Sequence, residues 1–251
     1  MSTKRRGLFS LVLSACCVSL SFAPPAQAGR NDNPGIVPIQ ANAHGQSYGA
    51  WAAAWWRWAI AIEAPRNPIA DETGEFCALG QKGKVWFLAG TWGNEVHREC
   101  TIPKGTALFF PLANNVWAQF KTDPPYDSIQ DLRDILTDAT DNVINLSAEI
   151  DGRPVVRPMQ YREQSTVFTL GFPADNAWGV EFTDDVCDQA RDGLFNCRPS
   201  VDEGYYLFLN PLPPGDHTIH FHAEQDDLDP TTDWDENWVL DVTYTLHVTR
   251  K

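Results

Sequence analysis

The stretch 239–248, VLDVTYTLHV, decides the fold class of this chain. Apolar or aromatic residues occupy its even positions from 240 to 248, and polar residues occupy its odd positions from 241 to 247. Successive side chains of a strand point to opposite faces of a sheet. The alternation therefore predicts an antiparallel strand with one buried face and one solvated face.

Earlier stretches of the chain have the same β character. They are 84–91, 95–102, 106–112, 146–150, 154–159, 165–172 and 205–209. The Asp151-Gly152 pair is the strongest hairpin signal, and Trp92-Gly93-Asn94 predicts another hairpin between the first two stretches. Many short strands separated by turns predict a mainly β protein, an antiparallel β-sandwich of the immunoglobulin-like or jelly-roll-like kind.

Two helices are predicted to decorate this sandwich. The first lies near 48–63, with Ser47 as its N-cap. The apolar stripe of this helix consists of Trp51, Trp55, Trp58 and Ile62. The second lies near 128–144, where Ser128 and Asp131 have the spacing of a capping box. The stripe of the first helix predicts that its tryptophans pack against the sheet.

Residues 1–28 have the three parts of a signal peptide. Basic residues at 4–6 precede an apolar run at 8–23, and Ala26-Gln27-Ala28 is a cleavage motif. Cleavage after Ala28 predicts an N-terminal arm at 29–45, one domain at 46–251, and a secreted or periplasmic location. No later stretch is apolar and long enough to predict a transmembrane helix.

The route of export and the state of the N-terminus remain open. Arg5-Arg6 resembles a twin-arginine signal, so this route stands beside the general secretory one. Cys16 lies in a stretch that resembles a lipoprotein cleavage box, which makes a lipid anchor on Cys16 an alternative.

The cysteines suit an oxidising compartment. Four of the six lie beyond residue 28, and their order favours the disulfides Cys77–Cys100 and Cys187–Cys197. A zinc site is the rival interpretation, but no C-x2-C pair supports it.

The chain has 33 acidic and 19 basic residues and a net charge of −14. So acidic a protein repels nucleic acids, and nucleic-acid binding is excluded.

A group of histidines near the end of the chain is a candidate metal site. His220, His222 and Glu224 have the period-2 spacing that places side chains on one face of a strand. If the final strand is its neighbour, His247 joins them, and such ligands suit zinc or copper. This arrangement supports the hypothesis of a metal-dependent enzyme in which the ion activates a water. The alternative is that these side chains are simply solvated.

Two further groups are candidate binding sites. The acidic loop 226–236 offers carboxylate oxygens, which calcium prefers. Four tryptophans outside the predicted apolar stripe are candidate ligand contacts, because exposed aromatic rings mark interaction sites and stack on sugars. These are Trp56, Trp92, Trp234 and Trp238.

The segment 45–49 matches the G-x-S-x-G pattern of a nucleophile elbow. That pattern requires several preceding strands and an alternation of strands and helices, which this sequence lacks. Ser47 is therefore interpreted as a helix cap and not as a nucleophile.

Several landmarks resemble a family of small exported bacterial proteins without an assigned activity. They are the tryptophan-rich segment 51–58, TG-x2-CA-x-GQ at 73–81, VWFL at 85–88 and P-x-G-x3-FFP at 103–111. The resemblance implies secretion and a mainly β fold, and it brings no catalytic residues. The leading hypothesis is thus a non-catalytic, exported binding or envelope-associated module. The metal-dependent enzyme and a carbohydrate-binding protein are the alternatives.

Overall fold

The computed structural model describes residues 33, 35–126, 128–226 and 238–250. All of them belong to one compact unit, 31–251. Its helices are α1 (Tyr48–Ile60) and α2 (Ile129–Asp141), with short 3-10 helices at Ala64–Arg66 and Pro158–Tyr161. Its strands are β1 (Val85–Phe87), β2 (Glu95–Ile102), β3 (Ala107–Ala118), β4 (Val143–Ile150), β5 (Arg153–Pro154), β6 (Arg162–Gln164), β7 (Phe168–Phe172), β8 (Asp188–Gln189), β9 (Phe195–Leu209), β10 (Gly215–Gln225) and β11 (Trp238–Val248).

Two sheets pack face to face, which confirms the predicted β-sandwich with two helices. The first sheet has the order β1-β3-β9-β6, with β7 and β8 also paired to β9, and the second has the order β2-β11-β10-β4-β5. Phe110 of β3 meets Phe221 of β10 across the interface, with ring centroids 5.5 Å apart. The buried faces of both sheets thus form one core.

Both sheets are mixed, whereas the sequence predicted antiparallel pairing. β1 runs parallel to β3, and β2 runs parallel to β11. The predicted hairpin around Trp92-Gly93-Asn94 is therefore wrong, because β1 and β2 belong to different sheets. The turn carries the chain from one sheet to the other.

The first sheet is covered on its other face by α1. β3 and the second half of β9 are buried on both faces, because α1 lies on one side and the second sheet on the other. Tyr48 and Trp51 of α1 pack on Phe109 and Phe208 of these strands. This packing explains the continuous apolar run in β9, which an alternating pattern does not describe.

Local signals define the second helix and the hairpin after it. Ser128 and Asp131 form the predicted capping box, each accepting a backbone N–H of the other. Residue 143 begins β4, so α2 ends earlier than predicted. The Asp151-Gly152 hairpin is confirmed between β4 and β5, although β5 has two residues only.

Both predicted disulfides are present and confirmed. Cys77 is bonded to Cys100, and Cys187 is bonded to Cys197. Each closes a loop, which stabilises the fold by roughly 3 kcal/mol. Paired cysteines are consistent with an oxidising compartment. Within the described residues, no helix is long and apolar enough to cross a membrane.

Candidate functional site

A cavity of about 800 Å³ opens where the two sheets and α1 meet. We call it the aromatic cavity. Its lining comes from Trp55 and Trp56 of α1, Ile69, the turn 90–93, residues 111–115 of β3, and Gln225, Asp226 and 238–240 at the adjoining ends of β10 and β11. A cavity of this volume suits a small ligand.

Three of its tryptophan rings are fixed by hydrogen bonds from their own N–H groups. Trp55 donates to the carbonyl of Leu88 over 2.9 Å, and Trp56 donates to Asp202 over 2.6 Å. Trp238 donates to the carbonyl of Trp92 over 2.9 Å. Because these N–H groups are used within the protein, they are not donors for a ligand. Trp55 and Trp56 are 1 % and 4 % exposed, so Trp92 and Trp238 supply most of the accessible ring surface.

The turn that carries Trp92 is shaped for close contact with Trp238. Thr91 accepts the backbone N–H groups of Gly93 and Asn94 through its hydroxyl. A Cβ atom at Gly93, whose φ is +117°, would lie 2.7 Å from the ring of Trp238. Glycine therefore permits both the backbone conformation and the ring contact. Trp92 is 44 % exposed and stands at the rim of the aromatic cavity.

The polar side chains on the wall are mainly neutral amides. Asn114 and Gln225 each use one side-chain N–H within the protein, on the Tyr206 hydroxyl and the Ala139 carbonyl, and each amide keeps a second N–H. Their side-chain oxygens, like that of Asn115, accept no hydrogen bond from the part of the chain that the structure describes. Asp226 adds a carboxylate, and the lining includes no lysine, arginine or histidine among the described residues.

A buried carboxyl lies behind this wall. Asp202 of β9 has no exposed surface, and its Oδ2 accepts from Trp56 and, over 2.5 Å, from the Tyr206 hydroxyl. Its Oδ1 has no hydrogen-bond partner among the described residues. Burial raises the pKa of Asp202 to about 7, although the two donors act in the opposite direction. Trp56 and Asn114 thus connect a titrating group to the wall of the aromatic cavity.

The predicted ligand-contact tryptophans have different outcomes. Trp92 and Trp238 line the aromatic cavity together. Trp56 lines it too, but the prediction that its ring is exposed is wrong, because it is 4 % exposed and bonded to Asp202. Trp234 lies outside the described residues.

The predicted metal ligands lie on the solvated face of the second sheet. His220 and His222 each contact Asp241 over 3.0 Å, and the other ring nitrogen of His222 lies 3.1 Å from Glu224. His247 is not with them. It is four residues along β11 from the partner of His220, about 13 Å away, and it contacts Asp216 instead.

The described residues contain no group of three histidine, cysteine, aspartate or glutamate side chains arranged to hold a metal ion. The zinc or copper site stays a prediction. The calcium prediction for 226–236 concerns residues that, apart from Asp226, lie outside the described part of the chain.

The histidine contacts predict a pH dependence of stability. Burial by itself lowers the pKa of His222, but hydrogen bonds to Glu224 and Asp241 outweigh it, and the pKa is raised. The stability that the fold gains from protonated His222 is fully present below the ordinary pKa of histidine, about 6.5. It is lost as the pH rises through the higher pKa that His222 has in the folded protein.

We expect His222→Gln to lower the free energy of unfolding at pH 6 by less than about 1 kcal/mol, because solvent screens the pair, and by less still at pH 8.5. Urea denaturation at the two pH values measures this. His97→Gln, at an exposed contact with Glu95, is the control. An equal loss at both pH values would contradict the linkage.

Sequence reasoning missed Asp202, Asn114 and Tyr206. The available signal was an acidic residue inside the buried part of a strand: Asp202 lies next to Glu203 at the start of the apolar run of β9. Glu203 is satisfied by Arg162, Thr137 and Gln164. The second oxygen of Asp202, in contrast, has no hydrogen-bond partner among the residues that the structure describes.

Comparisons of the chain with family models, curated proteins and solved structures found no match.

Proposed function

We propose that this protein is an exported, non-catalytic binding protein that holds a neutral sugar ring in the aromatic cavity. The observation that carries the proposal is that one cavity lining combines tryptophan rings with amide oxygens that accept no hydrogen bond from the described residues. A sugar presents C–H groups on the faces of its ring and hydroxyl donors around its edge. Each part meets a matching group in the cavity.

The charge of the lining narrows the ligand class. Asp226 is the charged residue of the described lining, so an anionic ligand would find repulsion and no cation there. A neutral, donor-rich ligand satisfies the oxygens of Asn114, Asn115 and Gln225 without bringing a charge into the cavity. The two disulfides suit a protein that works outside the cytoplasm.

Removing the rim ring tests the proposal. We expect Trp92→Ala to weaken binding of the sugar by about 30-fold, the equivalent of about 2 kcal/mol, because the change removes a tryptophan face on which the sugar ring stacks. Calorimetric titration with a panel of neutral mono- and oligosaccharides identifies the sugar and measures the loss. Trp92→Phe, which keeps an aromatic face, is the matched variant and retains most of the affinity.

Tetramethylammonium separates this proposal from its nearest rival, since a quaternary cation also binds to tryptophan faces. Binding of tetramethylammonium with none of the sugars would contradict the sugar proposal. So would sugar binding that Trp92→Ala leaves unchanged.

A further inference from the structure

A second cavity, of about 390 Å³, lies between the end of α1 and the outer faces of β7 and β9. We call it the arginine pocket. Arg57 enters it from α1, and Thr169, Asn196 and Arg198 enter it from the strands, where they alternate with buried neighbours. Asp188 is the acidic residue of its lining. Among the described residues, the arginine pocket and the aromatic cavity have no lining residue in common.

Arg57 is an exposed residue whose side chain is partly covered by its neighbours, and its N–H groups donate to no other described residue. Its guanidinium lies 5.3 Å from the ring centre of Phe168, a contact that holds the group in place without using its N–H donors. Neither an acceptor nor a carboxylate contacts it within the described residues. Burial accordingly lowers the pKa of Arg57. A guanidinium whose five donors meet no acceptor among the described residues favours an anionic ligand.

The single acid of the arginine pocket is already neutralised. Asp188 accepts from Lys121 over 2.8 Å, and its other oxygen lies 3.5 Å from Arg198. Because this second contact is long, Arg198 keeps side-chain N–H groups that can donate to a ligand. Asn196 and Thr169 add an amide and a hydroxyl that bond to no other described residue.

We propose that the arginine pocket binds a small phosphate monoester. Two guanidinium groups match the charge of a phosphate monoester, which is close to −2 at neutral pH, and their planar donors suit its oxygens. The C-terminal end of α1 repels an anion, because its carbonyl groups carry a partial negative charge of about half a unit. The positive charges of the two arginines outweigh this repulsion. The volume exceeds that of a phosphate group alone and leaves room for a small organic part beside Leu194 and Ala61.

The test is a titration with glycerol 3-phosphate, inorganic phosphate and glycerol in phosphate-free buffer at about 0.15 M salt, which screens long-range attraction. Side-chain N–H signals of arginine, followed by NMR, report on the pocket. We expect saturable shifts at Arg57 and Arg198 with glycerol 3-phosphate and none with glycerol. Arg57→Gln is expected to weaken binding by about 10- to 100-fold, the loss of charge-assisted hydrogen bonds.

Arg66→Gln is the matched control, because it removes the same charge from an exposed arginine paired with Glu63. Arg198→Gln, whose side chain is exposed, gives a second variant should Arg57→Gln fail to fold.

The proposal is overturned if neither phosphate compound binds, or if Arg66→Gln weakens binding as much as Arg57→Gln. Vesicles of phosphatidylglycerol form the last arm of the test. If the vesicles bind the protein in an Arg57-dependent way and glycerol 3-phosphate does not bind, the site belongs to lipid headgroups, and the proposal of a small soluble ligand is overturned. Sugar binding in the aromatic cavity is measured separately, so either proposal can fail alone.

Discussion

Replacing Asp202 with asparagine is expected to stabilise the protein at pH 8 relative to the natural chain. The change in the free energy of unfolding that the substitution causes should be more favourable at pH 8 than at pH 5, by roughly 2 to 3 kcal/mol. The reason is the burial of this carboxyl, which has a pKa of about 7 in the fold against 3.8 for the free side chain. Between these two values the folded chain holds a proton that the unfolded chain has released. The free energy of unfolding therefore falls as the pH rises from 4 to 7. Asparagine cannot ionise, and it escapes this loss.

Urea denaturation of both proteins at pH 5 and pH 8 measures the difference. Asp71→Asn is a control that is expected to lower the free energy of unfolding instead of raising it. The Asp71 carboxylate is buried, but it accepts the backbone N–H groups of Thr73, Gly74 and Phe76, and its pKa is lowered. Both pH values lie above that pKa, so Asp71→Asn should destabilise the protein equally at each. A pH-independent effect of Asp202→Asn would contradict the assignment of the buried titrating group.

Replacing Arg98 with methionine is expected to lower the free energy of unfolding by about 4 kcal/mol. Arg98 is 2 % exposed and donates to the backbone carbonyls of Ile69, Asp71, Ala89 and Gly90 and to the Tyr244 hydroxyl. Methionine fills similar space but leaves these buried oxygens without donors, and each such loss is costly. Since Ile69 and Gly90 line the aromatic cavity, sugar binding should weaken as well.

Thermal and urea denaturation measure the Arg98 effect, and circular dichroism confirms that the variant folds. The Cys77–Cys100 disulfide joins the same segments and helps the variant to remain folded. Arg66→Met, at an exposed arginine, should change stability by no more than about 0.5 kcal/mol. A loss below about 1 kcal/mol for Arg98→Met would show that the buried hydrogen bonds contribute little.

Local sequence patterns predicted the elements that depend on local forces. The alternation in 239–248 corresponds to β11, and its predicted neighbour is β10. The capping box of α2 and the Asp151-Gly152 hairpin are equally local and were equally predictable. The disulfide pairs followed from proximity in the chain.

The parallel pairs and the site depend on distant contacts, which no local pattern encodes. A hairpin and a crossing between sheets use the same turn residues, so Trp92-Gly93-Asn94 did not reveal that β1 and β2 separate. The aromatic cavity assembles residues from α1, β3, β10, β11 and the turn 90–93. Trp92 and Trp238 were predicted as ligand contacts because their aromatic side chains lie outside any apolar stripe. Asp202 was missed because an acidic residue next to another acidic residue is usually solvated.

The central claim is that the aromatic cavity is the ligand-binding site, and the indole N–H signals of the tryptophans test it most directly. In a titration of nitrogen-15-labelled protein with the sugar found by calorimetry, we expect the signals of Trp55, Trp56, Trp92 and Trp238 to shift together and to saturate. The signals of Trp86, Trp117 and Trp178, whose residues do not line the cavity, should stay in place. Saturable shifts confined to these three tryptophans, or no saturable shift with any neutral sugar, would contradict the account.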